Sequence, residues 1–99
     1  MADDLEFAAT PFQPGEALQR LKRDLRALGL VERDGRFERR GLAVARAAVQ
    51  GATLSAARVK QPRRTGPEWL TSELRNSADV RDFVADLKKQ LPLWSDRDD

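Results

Sequence analysis

The chain has 99 residues, enough for one domain and too few for two. Cysteine, histidine and tyrosine are absent, which excludes disulfides, thiolate or imidazole metal ligands, thiol nucleophiles and imidazole bases. The net charge is +2, yet thirteen of the eighteen Lys and Arg fall within residues 20–64 against four of the sixteen Asp and Glu, so a basic middle lies between two acidic ends.

Residues 1–13 read as an arm. Their start, Met1-Ala2-Asp3-Asp4, is acidic and lacks the basic and apolar regions of a secretory signal. No apolar run approaches the ~20 residues needed to span a bilayer, so a cytoplasmic location is expected. Leu5, Phe7 and Phe12 are apolar, and Pro11 and Pro14 disfavour a helix across the arm.

A first helix is expected over 14–28. Pro14 suits the first helical position and Glu16 the first turn. Leu18, Leu21, Leu25 and Leu28 recur at three- and four-residue spacing on one face. Gly29 suits the left-handed stop, with Leu30 packing back on Leu25 as in a Schellman end. Over 30–40 the Asp34-Gly35 centre reads either as a two-residue hairpin turn or as an ordinary helix-to-helix loop. The run Leu25–Gly41 resembles the way winged-helix domains leave a helix and enter their wing, over that segment alone, and no DNA-binding role is carried over from it.

Leu42, Ala45, Val49, Ala52, Ala56 and Val59 step by three and four, which predicts a long helix over 39–60 with Gly51 as its weak point. The rival reading ends that helix at Gly51 and makes residues 53–59 a strand. Alanine is a poor strand former, which favours the helix. On that reading Val49 is buried in a small-residue seam around Ala45, Ala52 and Ala56, and Val49→Asp should unfold the domain. The seam serves packing within one chain or an interface between two copies. A break at 61–67 precedes a short helix over 67–74. A last helix over 77–91 is capped by Asn76 or Ser77, with Asp79 in its first turn and Pro92 as its stop.

The expected fold is therefore mainly α, a small bundle of helices at 14–28, 39–60, 67–74 and 77–91, with a short hairpin admitted at 30–40. The alternative is α+β, with 53–59 as a strand. The domain spans 14–94, and 95–99 form an acidic tail.

Two basic sets are the candidate binding residues. Arg58, Lys60, Arg63 and Arg64 precede Trp69, a combination able to neutralise phosphates and stack a base, or simply to end a helix. Arg33, Arg36, Arg39 and Arg40 flank the Asp34-Gly35 turn. Asp79, Asp82 and Asp86 share one helical side, which reads as a solvent face rather than a cation site. No catalytic residue, metal site or cofactor is expected. The function expected is a small non-enzymatic regulatory or adaptor protein, a monomer or homodimer, binding an acidic protein surface through its arginine-rich middle. The alternative is a nucleic-acid binder using the same residues. In either case the acidic ends are expected to compete for the basic middle, so that deleting residues 96–99 raises affinity for polyanions.

Overall fold

A computed structural model of the chain describes residues 11–95. Most of the expected arm, residues 1–10, and the tail residues 96–99 lie outside that range. Helix α1 spans Pro14–Ala27. Five strands follow: β1 (Val31–Arg33), β2 (Arg36–Arg39), β3 (Leu42–Gln50), β4 (Thr53–Val59) and β5 (Trp69–Leu74). Helix α2, Ser77–Ser95, closes the domain. The strands form one antiparallel sheet in sequence order, β1-β2-β3-β4-β5. Both helices pack on one side of it, α1 against β3 and β4 and α2 against β5 and α1. The fold is α+β, so the mainly helical bundle is corrected, and the strand at residues 53–59 is what the chain forms.

The expected helix over 39–60 is the hairpin β3–β4, and its turn is Gly51-Ala52. Gln50 pairs with Thr53, which leaves a two-residue loop. Gly51 takes φ +61°, and Ala52 has no positive φ, the pattern of a II′ turn with glycine first. The three-residue step from Leu42 to Ala45 arises from a β-bulge, and the step to Ala52 falls in the exposed turn. The β2–β3 register shifts between Phe37 and Glu38, and an extra residue there switches which side of the sheet a strand position faces. Before the shift Leu42 and Val44 face the helices. After it Ala45, Ala47 and Val49 do. The resulting series fits neither a pure two-residue nor a pure 3.6-residue period. Val49 ends at the rim, 46% exposed, so it is not buried in a seam.

The other two connections within the first three strands are type I′ in their signs, with positive φ at Asp34 and Gly35 and at Arg40 and Gly41. The Asp34-Gly35 hairpin is thus present. The expected helix over 67–74 is strand β5 instead: after Lys60 donates its backbone N–H to the Glu68 carbonyl at 2.8 Å, residues 69–74 pair with β4 along its length.

The two helix ends read from the sequence are found. Leu30 N–H donates to the Leu25 carbonyl at 3.3 Å and Gly29 N–H to that of Arg26 at 2.9 Å, with Gly29 at φ +92°; these are the two bonds of a Schellman end. Asn76 Oδ1 accepts from the Asp79 N–H at 2.8 Å, and the Asp79 carboxylate accepts from the Arg75 N–H at 3.0 Å. The far end of α2 differs. The helix runs through Pro92 to Ser95. Proline removes a helical hydrogen bond, but Leu91 and Trp94 are buried on either side of it, and their packing holds the last turn in place. One cluster joins Leu21 and Leu25 of α1, Phe37, Val44, Leu54 and Leu74 of the sheet, and Phe83, Leu87 and Trp94 of α2.

Candidate interaction surface on the open sheet face

With both helices on one side, the other side of the sheet is left without a covering layer. Side chains alternate across a strand, so the register decides what this open face carries. Arg33 stands opposite Arg36 and Arg36 opposite Arg46. Arg46 in turn is opposite Ala57, and Ala57 opposite Thr71. One cross-strand row therefore reads Arg33, Arg36, Arg46, Ala57, Thr71. Neighbouring strands lie about 4.8 Å apart, so three guanidinium groups arise from backbone positions within about 10 Å.

Like charges directly opposite on a sheet cost stability, and here little offsets that cost. Arg33 reaches Glu38 at 3.7 Å and is 70% exposed along its side chain. Arg36 and Arg46 are exposed and have no carboxylate partner among the described residues. Arg46 lies over the Trp69 ring, 4.3 Å from its centroid, a cation–π contact. Ala57, opposite Arg46, and Val59, opposite Trp69, are both buried. Val59 belongs to the core cluster, and Trp69 packs against that cluster while Arg46 lies over its ring. Beside this stack is a shallow depression of about 330 Å³, lined by Gly35, Arg46, Ala48, Ser55, Ala57 and Thr71. Its small side chains let a partner approach the backbone closely.

The nine residues singled out from the sequence are divided by this arrangement. Arg33, Arg36 and Trp69 belong to the open face. Lys60, Arg63 and Arg64 are exposed on the loop between β4 and β5, which leads into Trp69. Arg58 is on the helix side: its Nε donates to the Asp86 carboxylate of α2 and its NH1 to the Val59 carbonyl at 3.1 Å. It joins the sheet to α2 and is not available to a partner. Arg39, half-buried, pairs with Leu42, and Arg40 occupies the β2–β3 turn; neither belongs to the row. Asp79 and Asp86 are likewise spent on a helix cap and on Arg58. Among the described residues no three His, Cys, Asp or Glu gather as metal ligands.

Arg46 is the member that sequence reasoning passes over. It lies in a run of alanines that reads as helix, where it has no cross-strand neighbour. A two-residue alternation started at the Asp34-Gly35 turn and carried through a bulge is the signal that would have found it. On the opposite side of the sheet, Glu32 accepts from Lys22 Nζ at 3.1 Å and from Arg26 at 3.0 Å. Hydrogen bonds from Lys22 and then Arg26 hold its carboxyl below the usual glutamate range. No helix among the described residues is long and apolar enough to cross a membrane.

No protein-family model, curated protein or solved structure matches this chain.

Proposed function

We propose that this protein is a non-enzymatic binding module that takes an acidic protein surface on the open face of its sheet. Arg33, Arg36 and Arg46 are the contact row. The observation that carries this reading is that row: two of its three arginines stand opposite each other with no carboxylate of their own among the described residues. A guanidinium binds a carboxylate in two-pronged fashion, so Asp and Glu side chains of a partner relieve the repulsion that the isolated chain retains. The small residues of the adjoining depression allow close approach. Lys60, Arg63 and Arg64 extend the positive surface beyond Trp69 and act on the rate of encounter. A cytoplasmic setting goes with this, because a chain without cysteine gives up the disulfides that oxidising compartments offer small domains. The module acts as a monomer or homodimer.

A nucleic acid is the less favoured ligand for a specific reason. A base would stack on Trp69, and Arg46 already occupies that ring face.

The deciding experiment is capture from native cell extract by the immobilised chain, with and without nuclease, run beside R36T/R46T. Protein bands should survive nuclease and fall about tenfold or more with the double variant. Bands that vanish with nuclease, or that R36T/R46T retains in full, overturn the proposal.

A further inference from the structure

The helical layer carries a second surface. Between α1 and α2 runs an open groove of about 930 Å³. Phe12, Ala17 and Val84 form part of its floor and are only half-buried against the core. Arg20, Arg75, Arg81 and Lys88 stand on its rim. All four are exposed, and none has an ion-pair partner among the described residues. Glu16 and Asp24 are the carboxylates of the lining, so cations outnumber anions on it by two to one.

Arg81, Val84 and Lys88 recur at three- and four-residue spacing, which sets an apolar residue between two cations along one side of α2. The lining runs from Ser77 to Lys88 on α2, a length of about 17 Å at 1.5 Å per residue. That length matches about twelve residues of a helical ligand.

We infer that this groove docks an acidic, amphipathic helical segment of a partner protein. Its apolar side chains rest on Phe12, Ala17 and Val84, and its carboxylates meet Arg81, Lys88 and Arg20. The mode is helix-in-groove recognition, in which apolar residues at three- and four-residue spacing anchor the ligand. The apolar floor distinguishes the occupant from a nucleic acid, whose phosphate backbone gains nothing from it. The groove lies on the other side of the molecule from the arginine row, so either surface can fail without the other.

The test is fluorescence anisotropy on the full chain with a labelled twelve-residue peptide of Leu, Phe, Asp and Glu in helical pattern. The control is the same peptide with Lys at every acidic position. The acidic peptide should bind, and the Lys peptide should bind at least about tenfold more weakly. R81E/K88E, and separately Ala85→Glu at an exposed lining position, should each weaken the acidic peptide by about tenfold or more. R36T/R46T should leave it unchanged. Circular dichroism confirms that the variants fold, and the two variants act independently of each other. Equal binding of both peptides, or full binding by both groove variants, overturns the inference. So does binding seen only after residues 1–10 are removed, because the chain's own acidic start is then the occupant.

Discussion

Glu32 illustrates how a carboxylate on the helix-facing side of a sheet can be made useful. It sits one residue from the start of a three-residue strand, and two cations one turn apart on α1 close on it. Its pKa is depressed in the folded state. A group of that kind adds stability above its unfolded pKa and loses it as pH falls through the folded value. Glu32→Gln should therefore cost roughly 0.5 kcal/mol at pH 7, in the range of solvent-facing ion pairs. The gap between variant and parent should close as the pH drops below the carboxylate range. Urea midpoints measured from pH 7 to pH 3 check this, and a gap that stays constant with pH refutes the pairing. The arginines of the open face make the opposite case. Replacing one member of a like-charged cross-strand pair removes a repulsion, so Arg36→Thr should raise stability by ~0.5 kcal/mol while weakening partner binding. A residue kept for structure alone would move both in the same direction.

The hairpin β3–β4 is where local preference and tertiary structure part. Read as a helix, the segment has Gly51 in its interior, and Gly51→Ala should stabilise by ~1 kcal/mol. In the folded chain Gly51 has φ +61° at the first position of a tight turn. A side chain there should instead destabilise by ~1–2 kcal/mol. The sign of the change, from chemical denaturation, separates the two conformations without a new structure. The helix ends were legible because their signals are local: Pro14 at the start of α1, Gly29 with Leu30 at its finish, Asn76 before α2. The Asp34-Gly35 turn was legible for the same reason. The strands were not, because alanine-rich β3 and β4 follow from pairing with distant residues, and the bulge opposite Phe37 breaks the alternation that would mark them. The same fault misplaced Val49, which is at the rim, so Val49→Asp should leave the domain folded. It also hides Arg46, while the charge of Arg58 marks it as a candidate although its register sends it to Asp86. Of the three arginines in the candidate row, Arg33 and Arg36 stand beside the legible turn and are named from the sequence. Arg46, across the bulge, is not.

A two-layer domain of this size has one core, and its stability depends on how completely the second helix closes it. Trp94 tests that closure from the far end of the chain. It is buried at 3% exposure, two residues after a proline that removes one backbone bond from the same turn. Local preference would end the helix there, so the indole's packing must outweigh the loss. Truncating a buried tryptophan costs about 3–5 kcal/mol, a large part of the roughly 5–15 kcal/mol of a typical domain. Trp94→Ala should therefore lower the whole unfolding transition. Helix signal in circular dichroism and Trp69 fluorescence should shift together, because α1, α2 and the sheet share the cluster that Trp94 completes. Were the last turn of α2 only appended to a finished core, Trp69 would report an unchanged midpoint while the helix signal lost its final turn. The two probes moving apart would refute a single core shared by both helices and the sheet.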